Sequence, residues 1–121
     1  MGHIYTDIRV QGSKATAELK RVLVDTGATY TALPQSVLDE VGAWGPIHEV
    51  EIAPGDGRKV RGKAYGVVIG VGDVQAPTIS IAFEGSQTVI GVETLESLGL
   101  KLDPTTERME TVRPKGMAYF F

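Results

Sequence analysis

Apolar positions recur with a period of two along much of the chain, the spacing of strands that bury one face. Ile4, Thr6, Ile8 and Val10 alternate with Asp7 and Arg9 before a Gln11-Gly12-Ser13 turn. A second strand is predicted from Lys14 to Val24. In it Ala15, Ala17 and Leu19 alternate with Thr16 and Glu18, and the pattern then runs into the unbroken triplet Val22-Leu23-Val24, expected to be buried on both faces. Pro34 can open a short helix whose Leu33, Val37, Leu38 and Val41 keep a helical period and which Gly42 stops. Val50 and Ile52 alternate with Glu49 and Glu51, Pro54-Gly55-Asp56-Gly57 turns the chain, and Arg58 to Ala64 returns, giving a hairpin with an exposed tip.

Ala64 to Val71 reads as a core strand. Gly72-Asp73 suits a two-residue hairpin turn, and Ile79, Ile81 and Phe83 alternate with Ser80 and Ala82 on the way back. Val89-Ile90 leads into Gly91, after which Val92, Leu95 and Leu98 share one face of a second short helix closed by Gly99. Leu100 to Val112 forms a last hairpin around Asp103-Pro104, and Met117 to Phe121 is an apolar tail. With no internal repeat or low-complexity linker, residues 1–121 are taken as one all-β domain of short, mainly antiparallel strands with one or two short helices.

Composition narrows the function classes. The chain is rich in β-branched residues, with 14 Val, 8 Ile and 11 Thr, which supports the strand reading. At 121 residues it can bury a core but has little length left to enclose a deep cleft, so an active site is expected near the surface or at a subunit interface. A net charge of −3 supplies no attraction to nucleic acid or anionic lipid. The absence of cysteine removes thiol catalysis, disulfides and thiolate metal sites. The longest apolar stretch, Val67 to Gly72, is too short to span a bilayer, and Met1 to Val10 carries no secretory apolar segment, so a cytoplasmic protein is expected.

The most informative segment is Val22-Leu23-Val24-Asp25-Thr26-Gly27-Ala28-Thr29. It puts a carboxylate where a buried strand leaves the core, a costly place unless hydrogen bonds or a second group share the charge. Gly27 lets the backbone turn tightly and a ligand or second chain approach. Read alone, Asp25 is more simply a turn or capping carboxylate, because Asp-Thr-Gly is common where strands end. What sets it apart is context: about 65 residues later a second apolar-apolar-Gly unit, Val89-Ile90-Gly91, again precedes a helix.

These elements resemble the retropepsin-like aspartic proteases, the single-domain relatives of the pepsin fold. Leu23 to Thr29 matches the active-site loop, Pro54 to Arg58 the flap turn, and Val89 to Gly99 the helix segment, in the family's order and over about Ile4 to Asp103. The resemblance implies an acid-protease-like closed β-barrel and a homodimer in which each subunit contributes one Asp25. Two carboxylates that close share a proton; the ionised one acts as general base on a bridging water and the protonated one donates to the scissile carbonyl of a peptide or protein substrate. No metal and no organic cofactor is implied.

By the same resemblance Thr26 braces the two loops across the dimer axis, although a local turn bond would also occupy its hydroxyl. Gly27, Ala28 and Thr29 line the peptide site. The Glu49 to Ala64 hairpin is either the flap, with Pro54, Gly55, Asp56 and Gly57 over the substrate, or a plain surface hairpin.

The chain departs from the viral members of that family. They follow Asp-Thr-Gly-Ala with two aspartates and place Arg after the helix-start Gly, whereas Thr29, Tyr30 and Val92 stand here, so an acid-arginine pair is missing on both sides. The hairpin tip is also different, with Asp56 followed by Arg58, Lys59, Arg61 and Lys63. Tyr119, Phe120 and Phe121 are expected to make dimer contacts or cover core, and Tyr119-Phe120 is a conceivable self-cleavage site. His3 and His48 lack ligand-spaced partners, Gly70-Val71-Gly72 lacks the helix of a dinucleotide loop, and Trp44 is expected to pack behind the flap. Two other classes fit the same residues: a proteolytically silent dimerisation or peptide-binding module, and an unrelated small barrel with an incidental Asp-Thr-Gly turn.

Overall fold

A computed structural model describes residues 3–53, 57, 59–103, 105–106 and 108–112. Within them the period-two segments become β1 (Ile4–Gln11), β2 (Thr16–Val24), β3 (Thr31–Ala32), β4 (Trp44–Ile52), β5 (Val60–Val71), β6 (Val74–Phe83), β7 (Val89–Ile90), β8 (Leu100–Asp103) and β9 (Arg108–Thr111). The two helical patterns become α1 (Gln35–Val41) and α2 (Val92–Leu98). Strands pair in the order β1-β2-β7-β3-β6-β5, and β1 also pairs with β5, which closes a six-stranded barrel. β4 extends beyond the ring on β5, and β8 and β9 form a separate two-stranded ribbon. The all-β closed barrel with two short helices is therefore as expected, with parallel joints among the described residues at β2–β7 and β3–β6.

The interior is filled by Ile8, Val10, Val67 and Ile69 from the long strands, Leu33, Leu38 and Val41 around α1, and Ile90, Leu95 and Leu98 around α2. Both helices end as the sequence suggests, on Gly42 and Gly99 with φ of 67° and 74°, the left-handed conformation that Gly takes without steric cost. The Val71 to Val74 pairing makes Gly72-Asp73 a two-residue turn, also as expected. At the end of β8, Asp103 accepts the Thr105 N–H at 2.8 Å. That bond, aided by hydrogen bonding with Glu110, holds its carboxyl below the ordinary carboxylate value.

Four expectations are corrected by tertiary packing. β2 begins at Thr16 because the amides of Ser13, Lys14 and Ala15 are used elsewhere, donating to the Gly42 and Val41 carbonyls at 2.8–3.2 Å that the end of α1 leaves without partners. The Val22-Leu23-Val24 triplet is not buried on both faces: Val22 and Val24 are buried, but Leu23 is only half-buried. The cause is a bulge in β2, where Thr6 pairs with Val22 but Ile8 with Leu19, so one extra residue shifts the inward phase from Ala17 to Val22.

Trp44, at the start of β4, is 48% exposed and lies beside Gly66, Val68, Pro77 and Ile79, at the opposite end of that strand from the hairpin tip. Val92 is half-buried, and Thr94, fully buried, takes the inward place on α2. The hairpin tip residues Pro54, Gly55 and Asp56 and the tail from Met117 to Phe121 lie outside the described residues.

The bulge rests on Arg21, whose φ of 53° is unusual for a residue with a side chain. Its N–H donates to Asp7 Oδ1 at 2.9 Å, and its guanidinium lies 4.3 Å above the Tyr5 ring centre. The left-handed backbone costs about 1–2 kcal/mol, and the exposed cation–π contact returns about 0.5–1 kcal/mol. Arg21→Gly removes both and is expected to change stability by less than about 1 kcal/mol. Arg21→Val adds strain, because a β-branched side chain tolerates positive φ still less, and loses the ring contact, so it is expected to destabilise by about 1–3 kcal/mol, as read from denaturant unfolding midpoints.

Candidate active site

β2 leaves the barrel at Val24, and Asp25 follows as the first residue outside the strand. Its backbone is still anchored, because the Asp25 N–H donates to the Ile90 carbonyl at 2.9 Å and so continues the parallel β2–β7 joint. The chain then turns at once. Ala28 N–H donates to the Asp25 carbonyl at 3.1 Å, and Gly27 N–H donates to Asp25 Oδ1 at 2.9 Å. The turn thus fixes one carboxylate oxygen, while the other makes no hydrogen bond among the described residues.

The far side of the loop is strapped to the start of α2. Val92 N–H donates to the Ala28 carbonyl at 2.8 Å and Glu93 N–H to the Thr29 carbonyl at 2.9 Å, so two of the amides that a helix start leaves without intrahelical partners are satisfied by this loop. Gly91 makes the approach possible. A β-carbon there would lie 2.5 Å from the Tyr30 carbonyl carbon, 2.6 Å from its oxygen and 2.9 Å from the Ala28 oxygen. The backbone at Gly91 is ordinary for any residue (φ −95°), so glycine is required for space alone.

Beside the loop lies a cleft of about 640 Å³, in the size range that holds a small ligand or peptide side chains. Its floor includes Asp25, Gly27, Ala28, Thr29 and Tyr30; Ile52 and Ala53 at the end of β4 form one wall, and Phe83, Ser86 and Gln87 another. The structure therefore brings Asp25, Gly27, Ala28 and Thr29 together as expected. Thr26 is exposed, lies outside the cleft lining, and its hydroxyl makes no hydrogen bond among the described residues, so the local turn bond is absent. Gly57 is exposed and also outside the lining; Pro54, Gly55 and Asp56 are not among the described residues.

The lining holds two carboxylates, Asp25 and Glu51, and no Lys, Arg or His among the described residues. Glu51 is engaged by Lys59 at 3.6 Å as part of the charged face of the β4–β5 hairpin, where Arg61 also meets Glu49 at 3.5 Å. Among the described residues no cluster of His, Asp and Glu has the makings of a metal site, and no helix is long and apolar enough to cross a membrane.

Several lining residues were not indicated by the sequence. Tyr30 from the Asp25 loop, Phe83 at the end of β6, and Ser86 and Gln87 after it meet only because the barrel closes. A buried polar group behind the loop, Thr31, Thr78, Ser80 and Thr94, was also missed. Thr94 had a signal, since it stands four residues before Leu98 on the inward face of α2. No protein-family model matches the chain, and no curated protein matches it.

Gly91→Ala tests the strap. The added methyl is expected to cost about 1–3 kcal/mol and to shift the amide resonances of Asp25, Ala28 and Val92, while an alanine at the exposed Gly57 shifts none of them.

Proposed function

We propose that this chain is one half of a homodimeric aspartic endopeptidase, in which the Asp25 carboxylates of two copies activate a water for attack on a peptide bond. The observation that carries the reading is the state of Asp25. It sits on a rigid turn at the floor of an open cleft, with one oxygen held by the Gly27 amide and the other without a partner. Hydrolysis of the aspartic-protease type uses two carboxylates that share one proton. Within one copy the only other carboxylate in the described lining is Glu51, which the hairpin's Lys59 occupies. A second Asp25 from a twofold-related copy supplies the missing group without any further residue.

The surroundings fit a peptide. Gly27 and Ala28 keep the loop low beside Asp25, so an extended backbone can approach, and the apolar walls from Ile52, Ile81 and Phe83 can take side chains. Thr26, exposed and without an intramolecular partner among the described residues, is available to a second copy. The β4–β5 hairpin, held together by its cross-strand charges and reaching beyond the barrel, is the element in position to cover bound substrate.

Digestion of a peptide library by the wild type beside Asp25→Asn checks the reading. Cleavage by the wild type, with an acid-shifted or bell-shaped pH profile, is expected to fall by at least ~10²-fold in the variant, and sedimentation is expected to give a dimer. Full activity in Asp25→Asn would sink the proposal. A wild type that retains peptides without cutting them would favour a silent binding module on the same fold.

A further inference from the structure

The four buried polar residues of the described chain, Thr31 on β3, Thr78 and Ser80 on β6 and Thr94 on α2, are joined to one another by hydrogen bonds. Three of them form a continuous line. Gly91 N–H donates to Thr31 Oγ1 at 3.1 Å, Thr31 Oγ1 meets Thr94 Oγ1 at 2.6 Å, Thr94 Oγ1 meets Thr78 Oγ1 at 3.0 Å, and Thr78 Oγ1 donates to Glu93 Oε1 at 2.8 Å. Each hydroxyl has one proton to give. Thr78 gives its proton to Glu93, so Thr94 must donate to Thr78, and Thr31 must then donate to Thr94. Thr31 is left as the acceptor that the Gly91 N–H requires. The opposite direction would leave Thr31 accepting from both Thr94 and Gly91 with no acceptor in the line for its own proton, a buried donor left unsatisfied.

We propose that Glu93 is a positioning residue for Asp25, acting through this one-way hydroxyl chain on Gly91. Glu93 is outside the cleft and touches none of its lining through its side chain in the hydrogen bonds seen; its Oε1 receives Thr78 and, at 3.4 Å, the Ile79 amide. Gly91 is the point where the chain meets the loop. Its neighbours on either side hold the two straps, Ile90 through its carbonyl to the Asp25 N–H and Val92 through its N–H to the Ala28 carbonyl. An acceptor at position 93 therefore gives the line of three threonines an end where its last proton is used, and the satisfied line holds Thr31 against the Gly91 amide, between the two straps on the Asp25 loop. The kinetic consequence rests on the peptidase reading; the structural one does not.

The test uses Thr78, which is 13 residues from Gly91 in sequence and outside the cleft lining. Thr78→Val removes the link and Thr78→Ser restores it; Glu93→Leu and Glu93→Gln do the same at the acceptor end, Gln keeping an oxygen. In the full chain, Thr78→Val and Glu93→Leu are each expected to shift the Gly91 amide resonance, and the double variant to shift it no further, because either break severs the same line. With peptide substrate, kcat is expected to fall by about 10- to 100-fold with KM within twofold, and Ser and Gln to restore both readouts.

A Gly91 amide unmoved in folded Thr78→Val, additive effects in the double variant, or no rescue by Ser and Gln would each overturn the proposal. Where Thr78→Val fails to fold, the Glu93 pair carries the same comparison. Absence of peptidase activity in the wild type would defeat the functional reading alone, since the amide shifts still decide for or against the chain.

Discussion

The backbone of residues 28–30 lies against Gly91 so closely that no β-carbon fits between them. The architecture around the cleft follows from that contact. Because the loop can come so near, the first amides of α2 find their acceptors in the Ala28 and Thr29 carbonyls, and a helix only seven residues long, too short to be stable by itself, is pinned at its start. The same contact fixes the exit of β2, whose hydrogen bonding to β7 continues through the Asp25 amide. Asp25 is thus held from both sides by backbone, which frees its side chain from a structural load beyond the single bond to Gly27.

Burial of polar groups near the barrel interior raises an obvious cost, since an unpaired hydroxyl there is expensive. The molecule meets it by gathering its buried threonines into one place and letting each satisfy the next, so that no buried side-chain nitrogen or oxygen in the described residues lacks a partner. Such a network is sensitive as a whole, because loss of one member strands its neighbours. Elsewhere the barrel relies on apolar packing of Ile, Val and Leu, which is far more tolerant of exchange. Rigidity is thereby concentrated behind the Asp25 loop, and the exposed hairpin opposite is left to weak surface ion pairs such as Lys59 with Glu51.

Local rules were enough for much of this. The period-two runs located β1, β2, β5 and β6, and Gly42 and Gly99 marked both helix ends, because those features depend on neighbours within a few residues, whereas β4 starts at Trp44, ahead of the alternation that begins at Glu49. The apolar triplet before Asp25 correctly put the carboxylate at a strand exit but overstated the burial of Leu23, since the phase of β2 is reset by a bulge whose cause, the Asp7 carboxylate on the Arg21 amide, sits on another strand. Tyr30, Phe83 and Gln87 converge on the cleft only after the barrel closes, and no spacing in the chain encodes that meeting. Thr94 was the exception: helical geometry alone places it inward with Leu98, and a polar residue at such a position asks for a buried partner.

The size of the chain bears on the proposed dimer through geometry as well as length. A six-stranded barrel has its interior filled by side chains, and here Val10, Leu33, Ile69 and Ile90 are fully buried in it, so no site can form inside. The cleft beside Asp25 lies outside that interior, lined by the Asp25 loop, the end of β4 and Phe83, Ser86 and Gln87. Under the proposed reading a second copy covers that cleft and supplies the second Asp25 in one step. The half-buried Leu23, left uncovered by the phase shift in β2, lies on the strand that leads directly to Asp25 and is an apolar residue such an interface could cover. In that reading one contact between copies would both cover Leu23 and bring the two Asp25 carboxylates together.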